Sequence, residues 1–222
     1  MQASYDELRD VAAKAVSIFA SANLSCCLMG SLACKLYGTT RAPNDVDLIV
    51  LTSAHAQEPL KRMLAAADRN FTLVASKARF ATYKVVWYRL PPRDGASARR
   101  CKVDILVPGT LNIPHVPAAH VATVRGLPVV PLAVLLLLKL QGWTDHRAAR
   151  RVDMVVKQHD DVRDIDDLLA IARRSGVDVR RESLPWVPST FLDAGDLRIA
   201  QYTRIHPASA VQWQELGAQV PA

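Results

Sequence analysis

The feature that most constrains the fold is the run Asp-Val-Asp-Leu-Ile-Val-Leu at residues 45–51, which alternates acidic and aliphatic residues at its start. Successive side chains of a β-strand point to opposite faces, so Asp45 and Asp47 are predicted to project from the same face. Two carboxylates that close repel each other, and a hard divalent cation with oxygen ligands is their usual counter-charge. The run therefore predicts a strand that carries part of a metal site.

A third acid, Asp104, stands in the predicted strand 102–107 between apolar residues. An acid within a buried strand is costly unless it is paired or bound to metal. If this strand lies beside the first, three carboxylates converge and can hold two metal ions. The alternative is that Asp45 caps the turn after Pro43 while Asp47 and Asp104 face solvent.

The turn Gly30-Ser31 favours the metal-site interpretation. It follows the short apolar run 25–29, which is predicted as a strand, and it opens a predicted helix. Backbone N–H groups at such a turn bind phosphate, and the helix N-terminus adds partial positive charge. Glycine lets a ligand approach the backbone closely, and the serine hydroxyl can add one hydrogen bond.

These motifs together resemble a known family. The residues Leu-Met-Gly-Ser-Leu at 28–32, followed by Arg-Ala-Pro-Asn-Asp-Val-Asp-Leu-Ile-Val at 41–50, are similar to the signature of the DNA polymerase β-like nucleotidyltransferase superfamily. Arg41 is similar to the basic residue of the minimal nucleotidyltransferases, which include toxins of bacterial abortive-infection systems, and the resemblance implies that it binds the nucleotide. The resemblance covers roughly residues 25–107.

The resemblance implies a mixed β-sheet, and with the pattern of predicted elements it gives an α/β fold (α+β) whose core is flanked by helices and followed by a C-terminal helical part. It also implies two Mg²⁺ ions, for which Mn²⁺ can substitute, and transfer of a nucleoside monophosphate from a nucleoside triphosphate such as ATP. Asp45 and Asp47 would hold both metals and the nucleotide phosphates. Asp104 would hold the catalytic metal and help to activate the acceptor hydroxyl, while Gly30 and Ser31 would cradle the phosphates.

Hydrophobic periodicity predicts the organisation of the chain. The predicted helices span residues 4–21, 32–37, 54–68, 131–156 and 162–174. Further strands are predicted at 71–75 and 82–90, with a hairpin at 121–130. The proline-containing tail from residue 184 is predicted to form irregular turns and short helices. We expect a nucleotidyltransferase core at 1–126 and a helical part at 127–222 that completes the cleft.

One stripe of the helical part is predicted to face this cleft. Lys139, Trp143, His146 and Arg150 recur at helical spacing, which suggests Lys139 on the triphosphate and Trp143 near the base. The alternative is that Trp143 belongs to the core and Arg150 is solvated. Among the acids that follow, Asp160 and Asp161 are predicted to cap a helix, and its solvated face is predicted to carry Asp164, Asp166 and Asp167.

Composition adds weaker expectations. A net charge of +7 favours acidic partners such as nucleotides or RNA, although it also fits plain solubility. The loop 91–100 is predicted to be mobile and basic, with Arg93, Arg99 and Arg100 available to a nucleic-acid acceptor. The most apolar segment, 127–140, is too short to span a bilayer and is interrupted by polar residues. We expect a soluble cytoplasmic protein without a disulfide framework.

Three functions remain open from the sequence. The first is an active Mg²⁺-dependent nucleotidyltransferase whose acceptor hydroxyl belongs to an RNA end, a protein or a small molecule. The second is a nucleotide- or RNA-binding module that keeps the fold without turnover, a reading left open by Ser31, where many members carry a second glycine. The third is an assembly protein that acts through its helical half.

Overall fold

The computed structural model describes residues 2–77, 80–92 and 98–220. Within these ranges the chain forms one mixed sheet. Its strands, numbered along the chain, are β1 (Cys26–Met29), β2 (Asp45–Val50), β3 (Phe71–Ala75), β4 (Lys84–Leu90), β5 (Arg99–Leu106), β6 (Ala122–Val124) and β7 (Leu127–Val129). Their spatial order is β3-β4-β5-β2-β1-β7-β6.

Both parallel and antiparallel pairs occur in this sheet. β2 lies between β5, which runs parallel to it, and β1, which runs antiparallel. β3, β4 and β5 form an antiparallel set, and β7 runs parallel to β1. The predicted mixed sheet of an α/β fold is therefore confirmed. β7 lies just beyond the predicted domain boundary at residue 126, and that division of the chain stays a prediction.

The helices flank the sheet and then continue as the C-terminal part. They are α1 (Tyr5–Ser21), α2 (Gly30–Tyr37), α3 (Gln57–Ala67), α4 (Leu132–Arg147), α5 (Val152–Val156), α6 (Gln158–Arg174), α7 (Ser189–Ile205) and α8 (Ala210–Glu215). Short 3₁₀ turns occur at Thr110–Asn112, Ala118–His120, Arg181–Ser183 and Pro207–Ser209. Among the described helices, none combines the length and the apolarity that crossing a membrane requires.

Local sequence explains where several of these helices begin and end. Ser4 and Glu7 form a reciprocal capping box at the start of α1. Gly38 ends α2 in the left-handed conformation at φ 115°, as its position after the predicted helix indicated. α4 is buried on almost all sides because eight of its first nine residues are aliphatic.

Two helix predictions are wrong. The predicted helix 131–156 is divided into α4 and α5 by residues 148–151, where neither proline nor glycine marks a break. The tail beyond residue 184 contains α7, a helix of 17 residues. Its prolines misled the prediction because Pro188 caps the start of α7 and Pro207 follows its end, so neither interrupts the helix.

The predicted exposure of Arg99 is also wrong. Its side chain is buried at the start of β5 and donates two hydrogen bonds, at 2.8 and 2.7 Å, to the Glu7 carboxylate of α1. The guanidinium therefore joins β5 to α1. Arg100 is exposed, as predicted, and Arg93 lies outside the described residues.

Candidate metal centre and adjoining cleft

Three carboxylates converge on one face of the sheet. Asp47 and Asp104 are direct neighbours on the parallel strands β2 and β5, and Asp45 stands two residues before Asp47 on the same face. One ligand oxygen from each of the three lies within 4.8 Å of the others, and all three side chains are partly exposed. Carboxylate oxygens so close together are the donor set that Mg²⁺ and Mn²⁺ prefer.

The turn between β1 and α2 fits closely around this cluster. Met29 at the end of β1 is the register partner of Asp47, which brings the next residue, Gly30, against the Asp47 side chain. Gly30 has φ +66°, and a Cβ built there would lie 2.0 Å from Asp47 Oδ2. Glycine is thus required for two reasons, the left-handed backbone and the space that the carboxylate occupies.

Ser31 positions the second acid of the strand. Its hydroxyl donates a hydrogen bond of 3.1 Å to Asp45 Oδ1, and the residue is almost completely buried. The turn that was predicted to bind phosphate therefore also orients both acids of β2. Contact of Gly30 and Ser31 with phosphate stays a prediction.

The three carboxylates place more negative charge at the cluster than the neighbouring lysines balance. Burial, together with repulsion from Asp45 and Asp104, raises the pKa of Asp47 well above its ordinary value. The charges of Lys139 and Lys102 oppose this rise without cancelling it. A divalent ion would supply the missing positive charge.

Lys102 is a member of the site that the sequence analysis did not single out. It stands two residues before Asp104 on β5, opposite Asp45 on β2, and its ammonium group hydrogen-bonds Asp104 Oδ2. Burial lowers the pKa of Lys102, but the hydrogen bond and the charge of Asp104 outweigh burial and raise it. The sequence did contain a signal for this contact. Lys102 and Asp104 are two residues apart in a strand, which places both side chains on one face.

A second charged cluster lies beside the first, centred on Asp164 of α6. Arg41 donates two hydrogen bonds to the Asp164 carboxylate, at 2.8 and 2.5 Å, and Lys139 Nζ lies 2.7 Å from Asp164 Oδ2. Lys139 also lies 3.4 Å from Asp161 Oδ1, and Asp161 Oδ2 lies 2.5 Å from His146 Nδ1. The cluster joins the loop before β2 to α4 and α6.

The solvated position predicted for Asp164 is therefore wrong. Asp161, which was predicted to cap the helix, instead lies within its first turn and contacts His146, and no side chain among the described residues caps the start of α6. The side chain of Asp164 is only 1% exposed, because α6 turns this acid towards the two cations instead of towards solvent. Asp166 is exposed as predicted. Periodicity alone did not identify the inward-facing acids because both faces of α6 carry carboxylates.

The residues of the predicted stripe on α4 do not share one environment. Trp143 is almost fully buried and packs edge-to-face on Tyr202 of α7, with ring centroids 4.9 Å apart, so it belongs to the core. Arg150 is exposed beyond the end of α4. Lys139 contacts Asp164, and its charge also acts on Asp47, while its predicted place on the triphosphate stays a prediction.

No family model matches the sequence, and a search of curated proteins likewise finds no match. Solved structures do match. An antigenic nucleotidyltransferase-like protein from Paracoccidioides brasiliensis superposes with a TM-score of 0.67 at 18% identity, covering 100% of this chain and 97% of that one. A proposed nucleotidyltransferase from H. pylori superposes with a TM-score of 0.51 at 14% identity, covering 95% and 80% of the two chains.

These likenesses extend over nearly the whole chain, and they show that the protein has the nucleotidyltransferase fold. Because the sequence identities are only 18% and 14%, the comparison establishes the fold and gives no information about the substrate. The narrower resemblance to abortive-infection toxins stays a prediction.

Proposed function

We propose that this protein is a nucleotidyltransferase that transfers a nucleoside monophosphate from a nucleoside triphosphate to an acceptor hydroxyl. The observation that carries the proposal is the convergence of Asp45, Asp47 and Asp104 on adjacent strands of a nucleotidyltransferase fold. The acceptor belongs to an RNA end, a protein or a small molecule, and the base of the nucleotide is not assigned.

The residues present fit a site for divalent metal. The donors are three carboxylates, and Gly30 leaves open the space that the Asp47 carboxylate fills. Asp45 and Asp47 are assigned to both ions, and Asp104 is assigned to the ion beside the acceptor. When bound, Mg²⁺ or Mn²⁺ ions neutralise the phosphates and stabilise the attacking and leaving oxygens of an in-line displacement.

In the proposed reaction, the acceptor oxygen forms a bond to the α-phosphorus of the triphosphate. The bond between that phosphorus and pyrophosphate breaks, and pyrophosphate leaves with its electron pair. The proton of the acceptor hydroxyl passes to the Asp104 carboxylate, the acid assigned to activate the acceptor. Positioning and charge provide most of the rate enhancement in reactions of this class.

The nucleotide is proposed to lie between the β1–α2 turn and the Asp164 cluster. Asp164 engages only Nε and one terminal nitrogen of Arg41, whose guanidinium carries five N–H donors in all. The side chain of Arg41 is 17% exposed, so its remaining donors can reach a phosphate oxygen. Lys139 adds positive charge, and Asp164 fixes the position of both cations.

A second candidate is a nucleotide-binding module without turnover. The observation that favours it is the contact between Lys102 and Asp104, because an ammonium group there supplies positive charge in place of a metal ion. A module of this kind would bind the triphosphate through the β1–α2 turn, Arg41 and Lys139 without transferring it.

Both candidates can be tested by incubating the purified protein with each α-labelled nucleoside triphosphate, Mg²⁺ and total RNA. The test variant is Asp45→Asn/Asp47→Asn, which removes charge and keeps side-chain size. The control is Asp10→Asn, at an exposed acid of α1 outside the carboxylate cluster. Label transfer by wild type and control, but not by the double variant, supports the enzyme.

The other outcomes separate the candidates. Thermal stabilisation by a nucleoside triphosphate without label transfer would favour the binding module. The absence of both responses in wild-type protein would contradict both candidates.

A further inference from the structure

The sheet continues beyond the carboxylate cluster as a row of basic and aromatic side chains. Lys102 of β5 is opposite Asp45 on one side and Trp87 of β4 on the other. Arg100 of β5 is opposite Arg89 of β4. Directly opposed residues share a face, so these four side chains lie on the same face as the three acids. We call Trp87, Arg89, Arg100 and Lys102 the open face.

Burial distinguishes the two sides of these strands. Alternate residues of β4 and β5 that point the other way are buried in the core, among them Val86, Tyr88 and Val103. On the open face, Arg89 and Arg100 are exposed, and Trp87 and Lys102 are partly exposed. On β3, beyond the open face, Val74 is 36% exposed. The partly exposed Trp87 ring therefore offers an aromatic surface among cations on this face.

The charges of the open face select the partner. The Arg100 guanidinium lies 4.4 Å from the centroid of the Trp87 ring, a cation–π contact that holds the ring beside a positive charge. Neither Arg89 nor Arg100 has a carboxylate partner among the residues that the structure describes. The charged residues of the open face, Arg89, Arg100 and Lys102, are all basic.

We infer that the open face binds a single-stranded nucleic acid, with one base stacked against the Trp87–Arg100 pair and phosphates held by Arg89 and by the edge of the Arg100 guanidinium. Aromatic rings interleaved with cations are the chemistry by which proteins bind single strands, whose bases are free to stack. In a duplex, the bases already stack on one another and cannot reach the ring.

The position of the open face then identifies the acceptor. Neighbouring strands lie about 5 Å apart, so Trp87 on β4 is one strand from Asp104 on β5. A strand end bound here presents its terminal hydroxyl at the acid proposed to activate it. This last step rests on the proposed function, whereas binding of the strand does not.

Binding is measured by fluorescence anisotropy with labelled single strands of about 12 nucleotides, RNA and DNA of the same sequence, and with the corresponding duplex. The solutions contain EDTA and no nucleoside triphosphate, so the result is independent of transfer. The variants are Trp87→Ala, Trp87→Phe and Arg89→Ala/Arg100→Ala. The control is Arg204→Ala, at an exposed arginine of α7. Thermal unfolding of every variant establishes that it folds.

We expect Trp87→Ala to weaken single-strand binding by about tenfold with an unchanged salt dependence, and Trp87→Phe to retain most of the affinity. The arginine double variant should lower the slope of log affinity against log salt by about 1.4, since each phosphate contact contributes about 0.7. Arg204→Ala should bind as wild type does. Binding of either single strand more tightly than the duplex supports the inference. The difference in affinity between RNA and DNA shows whether the site prefers ribose or deoxyribose.

Three results would overturn the inference. They are failure of both single strands to bind, equal binding by all variants, and binding of the duplex as tightly as the single strand. The Asp45→Asn/Asp47→Asn variant separates this inference from the proposed function. It should bind the single strand at least as tightly as wild type, even though it transfers no label.

Discussion

A Cβ atom on Gly30 would lie 2.0 Å from Asp47 Oδ2, far inside the contact distance of the two atoms. The glycine that opens α2 and the acid at the centre of the proposed metal site therefore depend on each other. Gly30 also holds φ +66°, so a side chain there meets a backbone penalty as well as a steric one.

Gly30→Ala should destabilise the protein and weaken metal binding, because Asp47 must move away from Asp45 and Asp104. Gly126→Ala is the matched control, since Gly126 has φ +80° and nothing within 4 Å of its Cβ position. The control should lose about 1–2 kcal/mol in urea unfolding and keep its Mn²⁺ affinity. Equal Mn²⁺ affinity in the two variants would show that the Gly30–Asp47 contact does not shape the site.

Lys102→Met should tighten binding of Mg²⁺ or Mn²⁺ by about two- to fivefold. The metal must displace the ammonium group of Lys102 from Asp104, and a partly exposed ion pair of this kind contributes a free energy that corresponds to such a factor. The side chain of Lys102 is 39% exposed and that of Asp104 is 32% exposed. Isothermal titration calorimetry at low salt measures the change, with Lys84→Met on β4 as the control for loss of one positive charge. Weaker metal binding in Lys102→Met would mean that Lys102 orders Asp104 for the metal.

Asp164→Asn should lower the free energy of unfolding by about 3 kcal/mol at neutral pH, because Arg41 would lose its carboxylate and Lys139 would keep only the longer contact with Asp161. Asp153→Asn removes one carboxylate of an exposed pair with Arg151 and should leave stability nearly unchanged. Urea unfolding compares the two variants. A similar effect of both would show that burial of Asp164 does not strengthen its ion pairs.

The contribution of Asp164 should also depend on pH. Burial alone would raise the pKa of Asp164, but hydrogen bonds and charge from Arg41 and Lys139 hold it below its usual value. A lowered pKa gives stability that is complete above the unfolded value of about 3.9 and is lost as the pH falls through the folded value. The difference in unfolding free energy between wild type and Asp164→Asn should be constant from about pH 7 to 5 and should shrink below about pH 4. A difference that grew on acidification would contradict this sign.

The carboxylate cluster shows how far the sequence could predict the site. Asp45 and Asp47 were predicted from strand periodicity alone, and β2 confirms that they share a face. Asp104 required the further assumption that its strand lies beside β2, which local pattern cannot establish. The register of β2 and β5 supplies that information by placing Asp104 opposite Asp47.

The Asp164 cluster shows the opposite case. Arg41 and Lys139 were predicted to bind a nucleotide, but the carboxylate that holds both of them was predicted to be solvated. The sequence separation explains the error, since Arg41 and Asp164 are joined only when α6 packs against α2 and α4. Helical periodicity describes which residues share a face but not which face a distant element covers.

By itself, the sequence determined the features that depend on neighbours along the chain. These are the alternating acids of β2, the turn at Gly30 and the mixed α/β order of elements, each set by strand periodicity or by the backbone freedom of glycine. Only the tertiary structure decided which acids converge, which cation meets Asp164, and that Trp87 lies on the face of the metal site. Strand register and helix packing bring together residues far apart in the chain, and no local pattern encodes those distances.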